Sequence, residues 1–381
     1  MLSRAAFLCG CLALATAASP ARAVNIVVDY TYDTNNFFGS GNPQGSLAGF
    51  EARSALNAAA GFLSDILNDT LSPIVTPDPF TSTVSNGIVT WEWQAVFDHP
   101  TTGASITLVD ETIAADEYRV YAGARVLAGS TIGLGGPGSW GFSPQSSGGF
   151  SQSEIDQVNA INDAFLSEVR DRDEASGFAS WGGVITFDPT ASWHFDHTDD
   201  VPANRSDFYT TALHELVHAL GFGTSTEWSD LAVGGVFTGA ASSEANGGTA
   251  PPVTGGHWVQ DFSSTVYGSF ARQAVLMDPS SITGQRFELT TLDAASLTDI
   301  GWQVADPGLL AGDYNFDGQV NAADFTVWRD SLGTGQTIGS HAGWKANYGA
   351  TAGAGSAGAP EPASVLLLVA AAVSSAARRR R

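Results

Sequence analysis

Apolar positions along this chain recur every three to four residues in some stretches and every second residue in others, which sorts the sequence into helices and strands before any chemistry is considered. Residues 50–68 carry Phe50, Leu56, Ala60, Leu63 and Leu67 at helical spacing, and residues 151–174 do the same with Ile155, Val158, Ile161, Phe165 and Val169. A shorter helix is predicted over 207–221, where Leu213, Leu216, Val217 and Leu220 form the apolar stripe and Gly221 is the stop. Alternation predicts strands over 24–30, 88–97, 105–110, 118–126 and 181–188, and the glycine-rich stretch 133–149 reads as turns. Strands and one long helix ahead of the short helix make an α+β fold. About 280 residues run from Val24 to Trp302, enough for one large domain with its own core.

The short helix carries the chemistry: His214-Glu215-Leu216-Val217-His218. At about 3.6 residues per turn, both imidazoles share one face, one turn apart, which is half of a zinc site. Glu215 lies next to a ligand but points elsewhere, so its carboxylate can reach a water on the metal and act as general base. A merely solvated pair of histidines is the plainer alternative, and the placed glutamate and glycine stop weigh against it. Zinc needs a third protein ligand and an open position for water. The site that would complete the compact H-E-x-x-H-x-x-G-x-x-H pattern is Thr224, a poor ligand. The one histidine between His218 and the C-terminal region is His257, in Gly255-Gly256-His257-Trp258. Glu227, Asp230 and Glu244 compete with it, because a carboxylate from a following segment completes other zinc sites. His194 and His197 either sit in a loop near the cleft or bind a second metal.

The order H-E-x-x-H-A-L-G-F over 214–222, then an insertion, then His257-Trp258, then Leu276-Met277-Asp278-Pro279 as a Met-turn, resembles the leishmanolysin-like metzincins. Residues 292–302 resemble the C-terminal helix of matrixin and serralysin-type domains. The resemblance spans roughly 182–302. It implies a zinc endopeptidase with a metzincin-like zincin domain of mixed sheet and active-site helix over residues 24–305. Zn2+ would sit on His214, His218 and His257, with Glu215 as base, and a strand bordering the cleft would pair with an extended protein or peptide substrate.

Charge and flanks set the expected compartment. Arg4, the apolar run 5–18 and Ala21-Arg22-Ala23 make residues 1–23 a secretory signal. Cys9 and Cys11 both fall inside it, so the mature chain would hold no disulfide and no thiolate to keep zinc latent. A lipoprotein reading of these cysteines is the alternative, against which the apolar run before Cys11 is short. A net charge of −23 argues against nucleic acid or an anionic membrane as partner, and 43 glycines suit a loop-rich exported protein.

After Pro307 the chain changes character. Asp313, Asn315, Asp317, Gln319 and Asp324 occupy positions 1, 3, 5, 7 and 12 of a calcium loop, with Gly318 at position 6 and a helix following over 325–333. Residues 308–350 resemble a dockerin type I module, although position 12 is Asp and the second copy, over 343–349, has no loop of its own. That resemblance implies Ca2+ and a cohesin-like or surface-matrix partner. Residues 351–381 are a linker followed by Pro360-Glu361-Pro362, an apolar run over 363–377 and four arginines, resembling a PEP-CTERM sorting tail. The run falls short of the ~20 residues of a stable span; the resemblance implies cleavage by an exosortase-type enzyme and delivery to the cell surface, with a retained anchor as the alternative. Two functions therefore stand at this point: a secreted or cell-surface zinc endopeptidase, and a calcium-dependent binding or matrix protein on a catalytically inactive protease-like scaffold. An open metal site favours the first.

Overall fold

The computed structural model describes residues 24–75, 80–84, 87–91, 93–142, 151–169, 171–173, 180–332 and 338–351. The expected signal segment and sorting tail lie outside them. The chain divides into two compact units, Met1–Pro307 and Gly308–Arg381. Among the described residues no helix is long and apolar enough to cross a membrane.

In chain order, the elements that position the candidate site are β1 (Asn25–Asp29), α1 (Ser46–Ile66), β2 (Glu117–Ala124), β3 (Gly133–Pro137), α2 (Gln152–Val169), β4 (Gly182–Phe187), α3 (Phe208–Ala219) and α4 (Thr291–Asp299). The central sheet has the order β1-β2-β4-β3. Its first three strands are parallel and β3 runs antiparallel along β4 at the edge. Parallel neighbours need crossovers and cover on both faces, which is why β2 is almost continuously buried from Val120 to Ala124; α1 packs against β1 and α3, and α3 against β3 and β4. The fold is mixed α and β, with smaller sheets around the central one, among them a three-stranded antiparallel sheet of Trp93–Asp98 between Ser105–Val109 and Ser139–Phe142.

Several boundaries differ from the sequence expectation for physical reasons. α1 starts at Ser46, and its buried stripe runs through Ala52, Ala55, Leu56, Ala59, Ala60 and Leu63. Phe50 falls off that stripe and is 60% exposed. In α2, Phe165 and Val169 are buried while Ile155 is exposed. The single strand expected over 88–97 is two strands, Gly87–Trp91 and Trp93–Asp98, that join different sheets. Helix does not reach 174, because Asp173 bridges Leu71 and the Arg172 guanidinium is fully buried, donating to the carbonyls of Ser72, Ala114 and Glu117. The largest departure is at 133–142, where the residues form β3 and the strand Ser139–Phe142, not turns; the rest of the expected turn region, 143–149, lies outside the described residues.

The second unit contains α5 (Ala322–Ser331) and α6 (His341–Asn347), the latter where the weak second repeat was expected. Asn321 and Asp324 form a capping box at the start of α5. The two helices meet through rings: Trp328 stacks on His341 at 5.0 Å and Phe325 lies 5.0 Å from Trp344, whose indole donates to the Asn321 carbonyl.

Candidate metal centre

α3 is held at both ends by side chains and by a glycine. Asp207 caps its start, accepting from the Thr210 amide at 3.0 Å, and Arg286 grips the same carboxylate through Nε at 3.0 Å and Nη2 at 2.9 Å. Leu213, Leu216 and Val217 are buried, which fixes the rotation of the helix and turns His214 and His218 toward the cleft. Gly221 has φ 107°, a conformation that costs other residues energy, and this reversal brings the Phe222 carbonyl back to within 2.7 Å of His218 Nδ1.

His257 arrives from a two-residue strand, His257–Trp258, paired with Val253–Thr254. Its neighbour Trp258 is fully buried, donates its backbone N–H to the Met277 carbonyl at 3.1 Å and its indole N–H to Asp293 Oδ1 at 2.9 Å. The next link is the Leu276 carbonyl, 2.8 Å from His214 Nδ1. Three chain segments thus bring three imidazoles together, His257 Nε2 lying 3.2 Å from His214 Nε2 and 3.0 Å from His218 Nε2.

The protonation of these rings follows from their partners. A carbonyl oxygen can only accept, so Nδ1 of His214 and of His218 carries the hydrogen and each Nε2 presents a lone pair inward. Burial holds the rings neutral: it depresses His214 to about 4, takes His218 well below the usual imidazole range and lowers His257, with the neighbouring imidazoles adding to the effect on His214 and His218. Inward lone pairs at such distances repel unless a cation lies between them. Tetrahedral coordination at about 2.0–2.1 Å would set the nitrogens roughly 3.3 Å apart, close to the observed spacing. The three histidines can hold a metal ion, and among the described residues they form the only such group.

Glu215 stands beside them, 5% exposed, with no hydrogen-bond partner for its carboxylate among the described residues. Burial pushes its carboxyl up to about 8; a cation at the histidines would favour the ionised form. Both groups line a cleft of about 590 Å³, bordered by Ile132 and Leu134 of the β3 side and by Thr210, Thr224, Ile282 and Phe287 opposite.

Comparison with protein-family models, curated proteins and solved structures finds no match to the chain. What the site can do is set by its own geometry.

The other residues singled out by sequence fall elsewhere. Thr224 turns its hydroxyl to the His218 carbonyl at 2.7 Å and lines the cleft without joining the imidazoles. Glu227, Asp230 and Glu244 stand outside the histidine group. His194 lies on a short strand with its Nε2 buried, and His197 stacks on Tyr209 at 6.1 Å. In the calcium-type loop, Asp313 accepts from the amides of Asp317 and Gly318, Asp317 accepts from Asn315 and from the Gln319 amide, and Asp324 accepts from the amides of Tyr314, Asn315 and Asn321.

Sequence reasoning missed Asp293. Its buried carboxylate accepts from the Trp258 indole, the Leu276 and Met277 amides, and the Thr290 amide and hydroxyl. It ties the start of α4 to the two segments that carry His257 and the partner of His214. The local signal for it is the capping box Thr290-Thr291-Leu292-Asp293.

Proposed function

We propose that the first unit is a zinc-dependent endopeptidase of the metzincin type, exported to the outside of the cell or its surface. The observation that carries this is the convergence of three neutral imidazoles beside a buried glutamate, whose carboxylate has no hydrogen-bond partner among the described residues, in an open cleft. His214, His218 and His257 would hold the ion. Zinc there would supply a Lewis acid that polarises a carbonyl and acidifies water. Glu215 takes the proton of the attacking water and passes it to the leaving amine. Residues 133–135 of the cleft wall belong to β3, the edge strand of the central sheet among the described residues, and an edge strand can align an extended chain by main-chain pairing. Leu134, 47% exposed, offers that chain an apolar contact.

Two further features support the metzincin assignment. Met277 is fully buried on the turn that supports His214 and Trp258, and α4 packs behind it through Asp293. No fourth His, Cys, Asp or Glu joins the group among the described residues, as an open catalytic site requires and a closed structural one does not. For the second unit we propose a dockerin-like calcium module: Gly318 takes φ 80° at the sixth loop position, and the carboxylate at the twelfth, Asp324, closes the loop onto α5.

The test is metal analysis of the purified full chain together with peptide cleavage by wild type and Glu215→Gln. Wild type is expected to carry zinc and cleave; Glu215→Gln is expected to keep zinc and lose at least ~100-fold in turnover. Unchanged turnover in the variant removes Glu215 from the mechanism. A zinc-loaded wild type that cleaves no peptide removes the endopeptidase.

A further inference from the structure

β3 reads Gly133-Leu134-Gly135-Gly136-Pro137. Glycine weakens a strand, having no side chain to pack and more backbone freedom to lose. None of the three glycines has positive φ, so backbone conformation does not demand them. Space does, at two of the three. A Cβ on Gly135 would lie 2.9 Å from Cα and 2.8 Å from the carbonyl carbon of Glu215, so this glycine admits the backbone of α3 to the sheet edge. A Cβ on Gly133 would meet the Glu215 side chain instead, 2.9 Å from both Cγ and Cδ and closer still to Oε1. A Cβ on Gly136 would meet nothing within 4 Å.

Among the described residues none hydrogen-bonds the Glu215 carboxylate, so the surface it lies against restrains it. We propose that Gly133 is a positioning residue: its missing side chain is the recess that seats the Glu215 carboxylate in the cleft wall next to the histidines. The strand bordering the cleft then has a second task besides aligning substrate, which is to set where the base stands. The kinetic consequence rests on the endopeptidase proposal; the positional one does not.

The experiment compares full-length Gly133→Ala, Gly135→Ala and Gly136→Ala with wild type by zinc affinity, melting temperature, steady-state cleavage and crystal structure. Gly133→Ala is expected to keep zinc affinity and melting temperature, to displace the Glu215 carboxylate in its crystal structure, and to lower kcat ~10- to 100-fold with KM unchanged, as misplacing a catalytic group does. Gly135→Ala is expected to melt lower because it pushes on the helix itself, and Gly136→Ala to leave melting temperature and the Glu215 position as in wild type. The proposal is overturned if the carboxylate of Gly133→Ala stays where it is in wild type, or if kcat is retained despite cleavage by wild type. It is equally overturned if Gly133→Ala loses stability and zinc together, as a purely structural residue would. Should wild type cleave no peptide, the endopeptidase falls, and the crystal structures alone decide the place of Gly133.

Discussion

Asp293 bears on the metal centre without touching it, and Asp293→Asn isolates that role because it keeps size and shape while exchanging one acceptor oxygen for an NH2 donor. The carboxylate divides its donors between two oxygens: Oδ2 accepts from the Leu276 amide, the Thr290 amide and the Thr290 hydroxyl, and Oδ1 accepts from the Trp258 indole and the Met277 amide. An asparagine keeps its oxygen on the side with three donors, which leaves the NH2 facing the Trp258 and Met277 N–H groups. Each buried donor left without an acceptor costs about 1–3 kcal/mol, so the pair costs about 2–6 kcal/mol. For a unit of this size that lowers the melting temperature on the order of 10 °C. The strain falls on the segments that carry His257 and the Leu276 carbonyl partner of His214, so zinc affinity should drop about 10-fold, at the low end for groups that orient ligands. Calorimetry of the full chain and zinc competition against a chelator measure the two effects. A variant that melts within about 2 °C of wild type and competes equally for zinc would refute the reasoning, since both numbers come from the same two orphaned donors.

Zinc binding is expected to fall sharply in His257→Ala and to be unchanged in Thr224→Ala, by the same chelator competition; the reverse result would exclude His257 as third ligand. Calcium is expected to raise the melting temperature of the second unit within the full chain and to change Trp328 fluorescence, and Asp317→Ala to abolish both, with affinity at the weaker end of the ~10⁻⁷ to 10⁻³ M range. Calorimetry showing no heat at millimolar calcium would leave the loop a surface turn. Burial, with the nearby Asp173 charge, holds the Asp69 carboxyl at about 6, above its unfolded value of about 3.9. The folded state therefore binds more protons in that window, and the contribution of Asp69 to stability is fully present below pH ~4, declines as pH rises toward 6 and is constant above. Urea midpoints of Asp69→Asn minus wild type should rise across that window; a flat difference would contradict the assignment.

How much of this was legible in the sequence depended on the range of the interaction. The pairing of His214 with His218 is a property of one helical turn, as are the stripe of Leu213, Leu216 and Val217 and the Gly221 stop. A local pattern specifies each of these because the atoms involved are within about four residues of one another. The same locality explains the misreadings. Phe50 has the right hydrophobicity and nearly the right spacing, yet which face of α1 is buried is decided by α3 and the sheet, and the stripe of small alanines won. Gly133-Leu134-Gly135-Gly136 has the composition of a turn, because local propensity takes no account of the helix that lies against it.

His257 shows the limit of spacing. Between His218 and His257 stand 38 residues, and Glu227, Asp230 and Glu244 within that stretch compete with His257 for the third place. Nothing in a linear pattern separates them. What separates them in the fold is the burial of Trp258 and the Asp293 carboxylate that draws the Trp258 indole and the Leu276 and Met277 amides to one point. The sequence alone determined the chemistry available, two imidazoles and a carboxylate on one helix, because that arrangement needs only helical geometry. The tertiary structure decided which third imidazole joins the pair, the burial that favours the neutral rings and what lies against Glu215, because convergence, desolvation and close approach exist only between segments distant in the chain.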